Sequence, residues 1–120
     1  MAPRHRSLLV LLALVVGAGA AAQWWSSSRD GRLGAQLAAA ARAGDIRMLS
    51  SDTCVYCVTA RRWLTRHSVA FEECFIERDT QCRALYEATQ ARGTPTLIVR
   101  GKAQLGFDAE RVLAALTPGG

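Results

Sequence analysis

The pattern of apolar and polar residues along this chain predicts an apolar N-terminal segment followed by one small α/β domain. Leu8–Ala22 is an uncharged apolar run of 15 residues. The next segment, Gln23–Arg32, contains serines, charges and a glycine, and predicts a flexible linker without core residues. From Leu33 onward, short apolar runs alternate with polar stretches, and about 85 residues remain to build a core.

This second part predicts the element order α-β-α-β-α-β-β-α. Helices are indicated by apolar residues recurring every three or four positions, and strands by short apolar or alternating runs. The predicted elements are helix Leu33–Arg42, strand Ile46–Leu49, helix Val55–His67, strand Val69–Ile76, helix Asp79–Ala91, strand Thr96–Val99, strand Ala103–Phe107 and helix Glu110–Leu116. A strand–helix–strand unit followed by a hairpin and a helix implies a mixed four-stranded sheet with helices on both faces.

The N-terminal segment has the layout of a secretory signal. Arg4 and Arg6 precede the apolar run, and Ala20–Ala22 offers small residues in an A-x-A arrangement. Trp24 and Trp25 follow directly and suit a membrane interface, so a retained anchor through residues 8–22 stays open beside a cleaved signal. The predicted organisation is a signal or anchor at 1–22, a linker and extra helix at 23–44, and a domain at 45–120.

Composition and charge limit the expected binding partners and the expected cellular compartment. The formal net charge is +5, but the basic residues are scattered and show no alternating basic–aromatic pattern, so nucleic-acid binding is not expected. The Ala- and Arg-rich composition is typical of a bacterium with a GC-rich genome, which makes the periplasm the expected destination. All four cysteines lie in the exported part, where disulfides persist.

Cys54 and Cys57 are separated by two residues at the junction between the first strand and the following helix. The start of a helix presents unpaired N–H groups and the positive end of its dipole, and both favour a thiolate on the first cysteine. A second cysteine one turn further on is close enough to resolve a mixed disulfide. The sequence therefore predicts Cys54 as nucleophile and Cys57 as resolving thiol, with no organic cofactor and no metal.

The stretch Ile46–Leu116 resembles the glutaredoxin branch of the thioredoxin-fold proteins. C-V-Y-C at 54–57 is similar to the glutaredoxin motif C-P-Y-C, and G-T-P-T at 93–96 falls where the family has its cis-proline loop. G-F-D at 106–108 is similar to the ending of glutaredoxin-like redoxins that serve ribonucleotide reductase. The resemblance implies a thioredoxin-like fold and a thiol–disulfide oxidoreductase that acts on disulfide-containing or thiol proteins, together with an unidentified redox partner.

The resemblance also implies a substrate-binding surface beside the sulfurs. Tyr56 and Phe107 are expected to flank the dithiol, and Pro95 is expected to be cis. The backbone of Thr94 then faces the dithiol, where its N–H and C=O can pair with an extended substrate segment. Cytosolic glutaredoxins have a glutathione-binding lysine three residues before the first cysteine, but this chain has Ser51 there. Glutathione is therefore expected only as a weakened co-substrate.

Several alternatives stay open at the level of sequence. Cys74 and Cys82 form either a second disulfide, as an oxidising compartment favours, or a pair of buried free thiols. Cys54 and Cys57 could instead serve as soft ligands in a metal-handling protein. A non-catalytic thioredoxin-fold module, whose disulfides only stabilise an interaction surface, is the third function class.

Overall fold

The structure is a computed structural model that describes residues 3–117. Over that range the elements follow the predicted order. They are α1 Pro3–Ala40, β1 Ile46–Ser50, α2 Val55–Arg66, β2 Glu72–Phe75, α3 Thr80–Ala88, β3 Thr96–Val99, β4 Lys102–Leu105 and α4 Ala109–Leu116. The sheet is mixed and four-stranded, with flanking helices, as the sequence predicted.

The chain divides between Arg32 and Leu33 into two compact units. The first unit is the part of α1 that precedes Leu33, and its large apolar side chains from Leu8 to Val16 are exposed. The apolar stretch of α1 has a mean hydropathy of 1.9 and is long enough to cross a membrane, although a signal sequence meets the same criterion.

Residues 23–32 are helical, which corrects their interpretation as a flexible linker. A glycine such as Gly31 costs a helix only about 1 kcal/mol, and no proline interrupts the segment. Because each residue added to an existing helix gains a hydrogen bond, the Ala-rich stretches on either side extend through it. The second unit also begins ahead of the predicted boundary at residue 45, since Leu37 and Ala41 are buried in its core.

The strand order in the second unit is β2-β1-β3-β4. β1 pairs with β2 in parallel, with Ser50 opposite Phe75, and pairs with β3 in the antiparallel sense. The β3–β4 hairpin closes at Arg100 and Gly101, whose φ angles of 47° and 84° suit a two-residue type I′ turn. Since β1 and β2 run in parallel, the segments after Ser50 and Phe75 leave the same edge of the sheet.

One hydrophobic core joins the sheet to its helices. Its buried members lie on or next to α1, β1, α2, β3 and α4, and no described residue of α3 belongs to it. The largest are Leu37 from α1, Ile46 and Met48 from β1, Leu64 from α2, Leu97 and Val99 from β3, and Val112 from α4. Burial of one face of α2 also turns Cys57 inward and fixes the start of this helix at the sheet edge.

Two helices end where a residue other than glycine adopts a left-handed backbone. Ser68 and Gln90 both have a φ of 56°, and close α2 and α3 with Schellman-type caps. After α2, the N–H of Val69 still donates back into the last helical turn. The extended backbone therefore starts only at Glu72, and the strand predicted from Val69 is shorter than expected.

Candidate active site

Cys54 is the N-cap residue of α2, with an extended backbone at φ −93° and ψ 106°. Its Sγ accepts a hydrogen bond from the backbone N–H of Cys57 at 3.1 Å. The sulfur thus occupies the position where a helix start offers free N–H groups and positive potential, and both stabilise a thiolate. The two cysteines form a disulfide, with a Cα–Cα distance of 5.2 Å.

The two sulfur-bearing residues differ in exposure. Cys57 is completely buried, whereas Cys54 is half-buried and reachable from solvent. An incoming disulfide can therefore meet Cys54, while Cys57 lies behind it. This asymmetry supports attack by the first cysteine and resolution by the second.

A groove of about 370 Å³ lies beside the dithiol and gathers the four residues expected at a substrate surface. Tyr56, Thr94, Pro95 and Phe107 all line it. The Thr94–Pro95 peptide bond is cis, as expected. The C=O of Pro95 accepts a hydrogen bond from the N–H of Gly106 at 2.7 Å, which ties the proline loop to the segment that carries Phe107.

The groove and its rim are apolar. No charged side chain lines the groove among the described residues. Within residues 33–117, the strongly exposed large apolar side chains are Val55, Tyr56 and Leu105, with exposed fractions of 75%, 78% and 54%. All three belong to the dithiol motif or the groove wall, so apolar exposure is concentrated around the reactive sulfur. Leu105 was not singled out from the sequence, because only the fold brings the end of β4 to α2.

Aromatic packing supports the back of the groove. The ring of Phe107 lies 5.3 Å from that of Trp63, which in turn lies 4.3 Å from the ring of His67. Trp63 thus packs between the groove wall and the end of α2. The segment of α1 that contains Gly34 also lies against His67.

A partly buried ion pair links α2 to β2. Arg61 donates two hydrogen bonds to the carboxylate of Glu73, at 2.6 and 2.7 Å, and Ser50 donates a third at 2.6 Å. Burial raises the pKa of Glu73, but the hydrogen bonds from Arg61 and Ser50 outweigh it and hold the pKa below its usual range.

A second acidic group holds the segment that leads into Cys54. We call residues 51–53 the redox loop and residues 76–79 the β2–α3 turn. The carboxylate of Glu77 accepts hydrogen bonds from the Ser51 hydroxyl and, at 3.1 Å, from the N–H of Asp52. The hydrogen bond from Ser51 is the main reason why the pKa of Glu77 is lowered. Arg78 forms an ion pair with Asp52.

Cys74 and Cys82 form a second disulfide, with a Cα–Cα distance of 6.0 Å. This bond joins β2 to the first turn of α3, and a separate polar cleft opens beside it. Neither cysteine lines the apolar groove. Among residues 3–117, no three His, Cys, Asp or Glu side chains are grouped so that they could hold a metal ion.

The family model named Glutaredoxin matches residues 46–103. Among solved structures, the thioredoxin-like protein BC3987 is 27% identical, with a TM-score of 0.52, over 58% of this chain and 97% of that one. A glutaredoxin from Methanosarcina mazei Go1 is 25% identical, with a TM-score of 0.52, over 61% of this chain and 78% of its own. No curated protein matches the chain.

Proposed function

The chain is a glutaredoxin-like member of the thioredoxin-fold proteins and a thiol–disulfide oxidoreductase, and we propose that Cys54 and Cys57 exchange disulfides with polypeptides outside the cytosol. The observation that carries this proposal is the pairing of a reachable sulfur at the start of α2 with a buried sulfur behind it. The apolar groove beside them supports a polypeptide substrate.

The reaction consists of two exchanges. In the reducing direction, the Cys54 thiolate attacks one sulfur of a substrate disulfide, the substrate S–S bond breaks, and the first substrate sulfur leaves as a thiolate that takes up a proton. The Cys57 thiol then loses its proton and attacks Cys54 Sγ, which releases the second substrate thiolate. The substrate gains two electrons, and the Cys54–Cys57 pair becomes a disulfide. The same steps in reverse donate a disulfide to the substrate. The reduction potentials of the partners relative to the Cys54–Cys57 pair set the direction.

The N–H of Cys57 and the start of α2 contribute to both exchanges. They stabilise negative charge on Cys54 Sγ when it attacks and also when it leaves the mixed disulfide. No organic cofactor enters this scheme. The unidentified redox partner restores the starting state of the pair.

The groove favours a polypeptide over glutathione as the substrate. Glutathione carries two carboxylates and an ammonium group, but the described groove offers no charged side chain to pair with them. Ser51 replaces the family's lysine, and its hydroxyl is already bound to the carboxylate of Glu77. An extended polypeptide can instead place an apolar side chain against Tyr56 and Leu105, so we assign glutathione the place of a weaker co-substrate.

Substitution of each cysteine tests the assignment of the nucleophile. Cys54→Ser should abolish disulfide exchange, while Cys57→Ser should accumulate mixed disulfides with substrates that denaturing gels resolve and mass spectrometry identifies. The double variant C54S/C57S is the control and should trap nothing. Full exchange activity in Cys54→Ser would contradict the proposal.

Substrate preference has its own test. Leu105→Gln should lower kcat/KM about fivefold for a disulfide peptide with an apolar neighbour, because about 1 kcal/mol of apolar burial is lost. Ala103→Gln changes an exposed residue two positions earlier on the same face of β4, outside the groove, and serves as the matched control. Equal losses in the two variants, or faster turnover of a glutathione-mixed disulfide, would contradict the polypeptide preference.

The apolar part of α1 supports export, with the domain facing the periplasm of a bacterium. Two disulfides within one small domain agree with an oxidising compartment. The mass of the protein recovered from periplasmic and membrane fractions tests the location. It also separates cleavage after Ala22 from a retained tether through residues 8–22.

A further inference from the structure

We propose that the Cys74–Cys82 disulfide is a positioning element of the active site, which holds the redox loop through Glu77 and Arg78. This inference rests on the proposed role of Cys54 as the exchanging sulfur. The second disulfide closes the short stretch between β2 and α3, and this stretch supplies the side chains that hold the segment preceding Cys54.

The register of the sheet brings the two segments together. Because β1 and β2 are parallel, with Ser50 opposite Phe75, the redox loop and the β2–α3 turn leave adjacent strands at the same edge. The N–H of Ile76 donates to the C=O of Ser50 at 3.0 Å and extends the pairing by one residue. The two segments therefore start side by side.

Three polar contacts connect the turn to the redox loop. Glu77 accepts from the Ser51 hydroxyl and from the Asp52 N–H, and Arg78 pairs with Asp52. The guanidinium of Arg78 also lies over the ring of Phe75, 4.2 Å from its centroid, which fixes the arginine on the turn. Glu77 and Arg78 on the β2–α3 turn thus bind the first two residues of the redox loop.

These contacts alone do not immobilise the loop. The side chains of Arg78 and Asp52 are 64% and 37% exposed, and exposed ion pairs are individually weak because water and salt screen them. The turn must already be held in place for the contacts to persist. The disulfide between Cys74 and Cys82 provides this by removing conformational freedom from the turn, and its buried end, Cys82, is anchored in α3.

A displaced redox loop would change the environment of the reactive sulfur. The N–H of Cys54 donates to the C=O of Ser51 at 3.3 Å, so Cys54 follows the position of the residue that Glu77 holds. Cys54 Sγ in turn lies 3.1 Å from the Cys57 N–H that stabilises its thiolate. Loss of the second disulfide should weaken this alignment, disfavour the reduced dithiol and shift the Cys54–Cys57 pair toward its oxidised form.

The test is a mutant cycle that measures the equilibrium constant of the Cys54–Cys57 pair with dithiothreitol, by thiol labelling and mass spectrometry. This readout does not require substrate turnover, so an inactive protein would refute the proposed function without affecting this measurement. One arm removes the disulfide (C74A/C82A). The second removes the contacts without changing net charge (E77A/R78A), and the third combines both. The matched control R83A/E87A removes an exposed ion pair of the same type from α3.

We expect C74A/C82A and E77A/R78A each to shift the equilibrium at least about twofold toward the disulfide, the lower range of coupling between contacting residues. Their combination should shift it no further than the larger single effect, while R83A/E87A should leave it unchanged. The inference would be overturned if the two shifts multiplied in the combined variant. It would also be overturned if C74A/C82A had a lower melting temperature but an unchanged equilibrium constant. If C74A/C82A does not fold, an unchanged equilibrium in E77A/R78A alone would overturn it as well.

Discussion

Substitution of Gly34 by alanine tests whether the end of α1 is an integral part of the redox unit. Gly34 is buried where α1 passes the C-terminal end of α2. A Cβ built on it would overlap Cβ, Cγ and Nδ1 of His67. The imidazole also contacts Trp63, with ring centroids 4.3 Å apart, and this contact restricts its movement.

Two opposing terms set the size of the effect. Replacing glycine by alanine inside a helix raises the free energy of unfolding by about 1 kcal/mol, because alanine restricts the unfolded chain and has a higher helix propensity. Overpacking a tight contact costs about 1–3 kcal/mol. We therefore expect Gly34→Ala to lower the free energy of unfolding by about 1 kcal/mol. Gly31→Ala, three residues earlier, meets no atom within 4 Å and should gain stability instead.

The assay is urea unfolding of the protein without residues 1–22, followed by tryptophan fluorescence and circular dichroism. The two glycine variants should differ by about 2 kcal/mol, which is a factor of about 30 in the unfolding equilibrium. His67→Ala provides the second control, since removal of the imidazole should reduce the cost of Gly34→Ala and leave only the overlap with the retained Cβ of residue 67. If Gly34→Ala were as stable as Gly31→Ala, close packing of α1 against α2 at His67 would be refuted.

The remaining predictions concern the core, one cap and acid stability. Leu37→Ala should cost about 2–5 kcal/mol in urea unfolding, because Leu37 is completely buried although it lies outside the stretch that matches the family model; a cost below about 1 kcal/mol would argue against a core role. Asp108→Ala should cost about 1 kcal/mol, since its carboxylate accepts from the N–H groups of Glu110 and Arg111 at the start of α4; Asp108→Asn should restore most of it. The lowered pKa of Glu73 means that its ionised form stabilises the fold above the ordinary value of 4.5, and that this contribution is lost as pH falls through the lowered value. Thermal melts below pH 4.5 should accordingly show a weaker acid dependence in Glu73→Gln, and an unaltered dependence would mean that ionised Glu73 does not stabilise the fold.

Much of this fold is predictable from local chemistry. Short apolar runs located the strands predicted at Ile46–Leu49 and Thr96–Val99. Asp79 and Asp108 stand at the starts of α3 and α4, where their carboxylates cap free N–H groups as local chemistry favours. The position of the dithiol at the start of α2 was equally predictable from the sequence. These features depend on residues close together in the sequence, and such residues interact similarly in most folds.

The features that were missed depend on contacts between distant residues. Ser51 meets Glu77 only because the register of β1 and β2 places Ser50 beside Phe75. The helical course of residues 23–32 was not predicted, because serine and glycine disfavour helix locally and only the Ala-rich stretches on either side carry the helix through them. The state of Cys74 was open for the same reason as the Ser51 contact, since only folding determines which residues its sulfur can reach.

The distribution of buried residues along α1 bears on how the enzyme could be released. In α1 the buried side chains begin at Gly34, and the described residues before Leu33 add none to the core. A protease that cuts between residues 23 and 32 would therefore liberate a complete catalyst, whereas a cut after Leu37 would unfold it. If the protein is tethered, a single cleavage would convert a membrane-confined redox activity into a diffusible one without loss of structure.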